Sequence, residues 1–245
     1  MLPQDKIYIL ISQAETEGIF KQLHETYDKL PDTSCEQCGN CCTVPPPSFM
    51  VEYLNIYRYL KNNLQEQIPE LIKRTARFYF LELADISLKC PFLNEENQCI
   101  IYPVRPFSCR GYGLLPNKDA VLGAEEQMKV LAQKYRELHG IHLPPEIVNF
   151  RLPQCDKIKL LNKKNINRQK IGEYLGSIGK LDTLLLPLEI VETNRLFVPV
   201  ATHLAITVLS KGAQTRRIKI MKEYLETGKS NIMEDYIEKA SSIAL

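Results

Sequence analysis

Tryptophan is missing from this chain altogether, and histidine occurs only four times, at His24, His139, His142 and His203, scattered and outside every cysteine-bearing segment. Imidazole-rich metal sites and histidine-based acid–base centres therefore have little material here, and each histidine reads as structural. An excess of one charge is lacking too: 31 Lys and Arg against 29 Asp and Glu leave a formal charge of +2. No net field drives the chain to nucleic acid or to an anionic membrane, and neither is expected as a partner. The absence of a Gly-rich phosphate loop or dinucleotide fingerprint argues against a nicotinamide-dependent enzyme.

Long hydrophobic runs are absent as well. Ile7-Tyr8-Ile9-Leu10-Ile11 is preceded by Asp5 and Lys6 and followed by no small-residue cleavage pattern, so it does not read as a signal peptide. Leu196 to Leu209 is interrupted by Pro199 and His203 and falls short of the roughly 20 residues that span a bilayer. It reads as a buried helix, and the expected location is the cytoplasm.

What the chain does have is eight cysteines. In a reducing compartment they are metal ligands or redox thiols rather than structural disulfides. Half of them fall in Cys35-Glu36-Gln37-Cys38-Gly39-Asn40-Cys41-Cys42, and the others are Cys90, Cys99, Cys109 and Cys155. Cysteines two residues apart present their sulfurs from one turn to one point, as a metal requires.

The surrounding sequence is helical in pattern, and the fold class expected is mainly α, with an irregular cysteine-rich segment. Ile7, Leu10, Ile11 and Ala14, then Ile19, Leu23, Tyr27 and Leu30, predict one amphipathic helix from Asp5 to Leu30, kinked near Gly18. Pro45-Pro46-Pro47 closes the cysteine cluster as a loop. Ser48 is placed to cap a helix with Val51, Leu54, Tyr57, Leu60 and Leu64 on its inner face. A further helix begins at Pro69. Between Cys90 and Gly113 the periodicity stops, and Pro91, Pro103, Pro106, Gly111 and Gly113 punctuate the chain. Met128, Leu131, Tyr135 and Leu138 restore a helical stripe that ends near Gly140. From about Asn167, helices are expected between breaks at Gly179, Pro187, Pro199, Gly212 and Gly228. Lys211, Arg216, Arg217, Lys219 and Lys222 read as a solvated basic face. The domain reading is residues 1–160 as a cysteine-cluster metal-binding domain, with 161–245 as a helical extension packed on it or semi-independent.

The two cysteine regions are best read as halves of one site, because a loop can close across intervening helices at modest entropic cost. Cys35, Cys38, Cys41 and Cys42 supply one half, and Cys90, Cys99 and Cys109 the other. Adjacent Cys41 and Cys42 are expected to diverge, so one of them would serve a second ion or remain a thiol. Arg105 and Arg110 flank Cys109, where a guanidinium can offset thiolate charge and donate N–H to sulfur. Cys35-x2-Cys38-x2-Cys41 with a remote Cys90-Pro91 is similar to the ferredoxin spacing for a [4Fe–4S] cluster. The same thiolates also suit tetrahedral zinc. Tyr102 and Tyr112 read as packing residues rather than proton donors.

These ordered elements, with Cys90-Pro91-Phe92-Leu93, Cys99-Ile100-Ile101-Tyr102, Arg105-Pro106 and Cys109-Arg110-Gly111-Tyr112, resemble the YkgJ-type CxxCxxCC cysteine-cluster proteins, described as zinc- or iron-chelating. The resemblance covers Cys35 to Tyr112, with Cys155 corresponding to a further cysteine of some members. It implies a bound zinc ion or iron–sulfur cluster as cofactor and a redox-related role. An alternative is an enzyme related to iron–sulfur oxidoreductases or flagellin lysine N-methylases, although no sulfonium-cofactor signature is found. The helical C-terminal region is then the surface for a protein partner.

Because residues 90–113 have no hydrophobic face of their own, their order depends on what the thiols bind. Chelation of metal is expected to raise amide hydrogen exchange in 90–113 more than in the flanking helices; unchanged exchange there would count against a shared site.

Overall fold

The computed structural model describes residues 4–36, 38–115, 124–151, 153–155, 157–162, 164–186, 197–243 and 245. Pro187 and Leu196, both used in reading the sequence, lie outside them. The chain is mainly α: helices α1 (Gln4–Thr16), α2 (Ile19–Tyr27), α3 (Met50–Asn63), α4 (Ile68–Leu81), the single turn α5 (Phe107–Arg110), α6 (Ala124–His139), the single turn α7 (Pro145–Val148), α8 (Arg168–Leu185), α9 (Val200–Val208), α10 (Lys211–Thr215), α11 (Arg217–Thr227) and α12 (Asn231–Ser241). Two-residue strands pair as β1 (Thr33–Ser34) with β3 (Lys159–Leu160) and β2 (Pro47–Ser48) with β4 (Val198–Pro199), both antiparallel.

The single N-terminal helix expected is two. Gly18 takes φ +66°, a left-handed turn that carries little cost without a Cβ, and the chain breaks between α1 and α2 instead of kinking. Helix α3 is the centre of the fold: Met50 through Tyr57 and Leu60 are all buried, and α1, α2, α8 and α9 pack around it. Helix α4 carries the opposite side, against α9, α11 and α12. The main core therefore runs from Ile7 to Leu245 without interruption.

Several local readings are corrected by packing. Gly179 does not break a helix; it lies inside α8, where an added Cβ would stand 3.2 Å from the Phe49 ring, so its missing side chain is the space that ring occupies. Leu138 is 73% exposed although its spacing marks it for an inner face. Only Ala132 and Tyr135 of α6 reach the small second core of Ile141, Leu143 and Met221. Arg217 is not on a solvated face, since its guanidinium pairs with Glu82 at 2.5 Å and stacks 4.5 Å above Tyr79; Lys211, Arg216, Lys219 and Lys222 are exposed as expected.

The start of α3 is also capped differently from the sequence reading. Ser48 is fully buried, its hydroxyl has no partner, and its carbonyl faces His203 Nε2 at 3.1 Å. The orphan N–H groups of the first turn are satisfied instead by two carboxylates. Asp182 of α8 accepts from Met50 and Val51 N–H at 3.0 and 2.7 Å, and Glu52 accepts from Phe49 N–H at 2.9 Å.

Burial pushes the Asp182 carboxyl up to about 7, outweighing the two N–H bonds that pull it down. A carboxyl raised on folding contributes stability at low pH and loses it as pH rises toward that value. The metal-free protein should therefore be less stable at about pH 8 than at about pH 5 by on the order of 2 kcal/mol from this group. Denaturant midpoints at the two pH values should converge in Asp182→Asn; an undiminished difference would show that other groups carry it.

Candidate metal centre

Two of the three cysteine-bearing segments, the Cys35–Cys42 loop and the turn that bears Cys109, are anchored on Glu52. This side chain is 1% exposed. Its Oε1 accepts from the Tyr27 hydroxyl at 2.8 Å, at the end of α2, and from Phe107 N–H at 2.6 Å, at the start of the turn that bears Cys109. Its Oε2 takes Phe49 N–H, just beyond the first cysteine loop. The same carboxylate thus fixes the segments before Cys35, after Cys42 and before Cys109. Burial raises its proton affinity, and the three donors act against that. Backbone carbonyls take further bonds: Cys90 N–H donates to Cys42 C=O at 2.7 Å, and the Ser108 hydroxyl donates to Pro47 C=O at 2.8 Å.

None of the eight cysteines forms a disulfide. Cys41 and Cys42 lie on a 3-10 turn, Asn40–Thr43, and their sulfurs are 3.9 Å apart. The divergence expected of neighbours is therefore not what this turn gives. Two thiolates on one tetrahedral zinc, each at about 2.3 Å, stand about 3.8 Å apart, so this spacing fits one edge of such a site. Cys90 is buried, Cys99 and Cys109 are half-buried, and Cys35 and Cys38 are exposed. Cys41, Cys90, Cys99 and Cys109 lie within electrostatic reach of one another, with Cys42 close to Cys90 and Cys109. Cys35 acts on Cys99 in the same way. Cys38 and Cys155 lie beside Tyr112, whose hydroxyl donates to Pro153 C=O. Gly113, at φ +78°, backs onto Cys155, whose Cβ would be 2.9 Å from an added Cβ. Among the described residues, no three His, Cys, Asp or Glu side chains converge tightly enough to hold a metal as they stand.

Electrostatics separate the thiols. Burial pushes Cys90 up to about 12 and raises Cys99 and Cys109, and neighbouring thiols push the same way. Cys41 is the exception: hydrogen bonding from Cys42 brings it down to about 7, with a smaller contribution from Arg105, while Cys42 is raised in return. A cation bound by these groups would reverse the burial effect, since coordination favours the thiolate.

The two arginines play different parts. Arg110 donates from Nε to Arg105 C=O at 2.9 Å and from Nη2 to Pro103 C=O at 2.7 Å, and stacks 4.3 Å over Tyr27. It clamps the turn. Arg105 stacks 3.8 Å over Tyr102, and its Nε and Nη1 are buried with no hydrogen-bond partner. A buried donor left unpaired costs about 1–3 kcal/mol, and this guanidinium faces Cys41, Cys99 and Cys109 electrostatically. Unpaired N–H groups beside soft sulfur donors are what an anionic thiolate–metal centre accepts, so the residues present fit a thiophilic metal. The four histidines stay apart from the site: His203 stacks on Tyr53 at 5.1 Å, and His139 and His142 are exposed.

Residues 34–133 match the sequence model of the CxxCxxCC family, whose description reads "Putative zinc- or iron-chelating domain". This stretch is similar to that family. Cys35 through Cys109 fall inside the match, whereas Cys155 and helices α8 to α12 fall outside it. No curated protein and no solved structure matches the chain. Among the described residues no helix is long and apolar enough to cross a membrane.

Glu52, Tyr27 and Asp182 were not picked out from the sequence as site-forming residues. Glu52 had a visible signal, three positions after the non-helical Phe49, where a glutamate reaches back to a helix start. In Glu52→Gln one of the three donors loses its carboxylate oxygen, at a cost of about 1–3 kcal/mol. Hydrogen exchange should rise together around residues 40–49 and 105–110; a rise confined to one segment would contradict the shared anchor.

Proposed function

We propose that the chain is a metal-binding protein that chelates zinc or iron through clustered cysteine thiolates. The observation that carries this reading is that Cys41, Cys90, Cys99 and Cys109, from three segments, lie within electrostatic reach of one another beside an arginine whose buried N–H groups are unpaired. The family description of residues 34–133 supports chelation in general. Cys41, Cys42, Cys90, Cys99 and Cys109 form the inner set of ligands; Cys35, Cys38 and Cys155 are the outer thiols, brought in as the loop closes on metal. Binding then completes the folding of the segment, as is usual where no preformed site exists without metal. Arg105 compensates the thiolate charge, and Arg110 holds the turn that presents Cys109.

The Cys35-x2-Cys38-x2-Cys41 spacing with a remote Cys90-Pro91 supports an iron–sulfur cluster with a redox-related role alongside simple zinc chelation. A bound cluster would supply one-electron chemistry; bound zinc would supply structural cross-linking or Lewis acidity. In this reading residues 1–160 carry the centre, and residues 161–245 form a helical extension packed on it and open to a protein partner. A reducing compartment such as the cytoplasm keeps the thiols competent.

Anaerobic purification with metal analysis and an absorption spectrum tests the reading, because an iron–sulfur cluster absorbs in the visible and zinc does not. The expected result is zinc or iron in stoichiometric amount, lowered by Cys38→Ser and by Cys109→Ser, in which a neutral hydroxyl replaces a thiolate. Arg105→Gln should weaken retention against a chelator by about 10- to 100-fold, while Lys222→Gln on the exposed face of α11 leaves it unchanged. Full stoichiometry in both cysteine variants, or neither metal in the unsubstituted protein, would refute it.

A further inference from the structure

Arg74 belongs to α4, outside every cysteine-bearing segment, yet its guanidinium reaches into one of them. One Nη donates to the carbonyl of Leu93, inside the Cys90–Cys99 hairpin. Its Nε is buried and has no hydrogen-bond partner, and its charge acts on Cys90. The neighbouring cations of the same helix behave differently: Arg77 pairs with Glu234 at 2.8 Å and Lys73 approaches Glu238 at 4.0 Å, both partly exposed.

The hairpin is otherwise closed on itself. Leu93 and Cys99 form an isolated bridge, Ile100 N–H donates to Phe92 C=O at 2.9 Å, and Asn94 Oδ1 accepts from the N–H groups of Glu96 and Gln98. These bonds shape the loop without saying where it sits. Phe92 and Leu93 are buried against the core, but apolar contact is non-directional and leaves the hairpin free to slide by a fraction of a residue. Directional placement comes from two polar contacts on opposite sides: Cys90 N–H on Cys42 C=O, and Arg74 on Leu93 C=O.

We infer that Arg74 is a positioning residue of the thiol centre: it docks the Cys90–Cys99 hairpin on α4 and presents its remaining buried N–H to the Cys90 sulfur. This rests on the metal-binding reading above and extends it to a helix that carries no ligand. The planar guanidinium suits both tasks, since its donors diverge in a fixed fork, whereas a lysine offers a point charge on a flexible stem.

The test uses cobalt(II) titrated into the metal-free full-length protein under argon, followed by the sulfur-to-cobalt charge-transfer absorption, with chelator competition as a second readout. Arg74→Met is expected to lower the charge-transfer intensity and to weaken retention by about 10- to 100-fold. Arg74→Lys, which keeps the charge, should recover part of both, and Arg77→Met, one turn-face away and paired with Glu234, should match the unsubstituted protein. A band indifferent to Arg74→Met overturns the inference alone. An equal loss in Arg77→Met would mean that only helix α4 was disturbed, and Arg74→Lys no better than Arg74→Met would mean that the positive charge does not act on the centre; either outcome also overturns it. No band in the unsubstituted protein overturns the metal reading itself, and is thereby told apart.

Discussion

A single buried carboxylate sets the terms for this structure. Glu52 is removed from water in the part of α3, Met50 through Tyr57, that is buried all round, a placement that is costly unless its oxygens are filled. The three donors that fill them come from α2, from the residue before α3 and from the turn after Pro106. Satisfying Glu52 therefore also joins the Cys35–Cys42 loop to the turn that bears Cys109. Asp182 repeats the device from α8, 131 residues away from Val51, and ties the C-terminal helices to the same helix start.

Around this anchor the structure holds more positive donors than it uses. Arg105 keeps two buried nitrogens and Arg74 one without a partner. In a packed interior such groups are rare and call for an explanation. Thiols raised by burial do not answer these donors while protonated, because a neutral S–H is a weak acceptor. Thiolates would, and metal is what makes thiolates stable there. The polar accounting of the site and its proposed ligand thus point the same way.

The helical class, the metal-binding family and the irregularity of 90–113 were legible because they depend on local pattern: apolar spacing, proline punctuation and clustered cysteines. The expected second helix held because Val51, Leu54, Tyr57 and Leu60 mark a true inner face. What failed depended on distance in the chain. Ser48 looked like a cap because nothing local announces that Asp182 will arrive in its place. Arg217 looked solvated because Glu82 and Tyr79 lie more than a hundred residues upstream. The divergence expected of Cys41 and Cys42 assumed an extended loop, and the 3-10 turn brings the sulfurs onto neighbouring directions instead. Arg74 gave no signal at all, since one arginine in an amphipathic helix resembles any other.

The hydrogen bond from Cys90 N–H to Cys42 C=O has a consequence for affinity. Helices α3 and α4 separate these residues in sequence, and the packing of both on α9 has already brought the two backbones together. The second group of thiols therefore meets the first as an intramolecular partner at a high effective concentration, instead of through a search by a loose chain. Part of the ordering entropy is lost when the helices fold, and the remainder is lost at capture. In the proposed reading the inner thiols are then the tight, early part of the site, and the exposed Cys35 and Cys38 join it later.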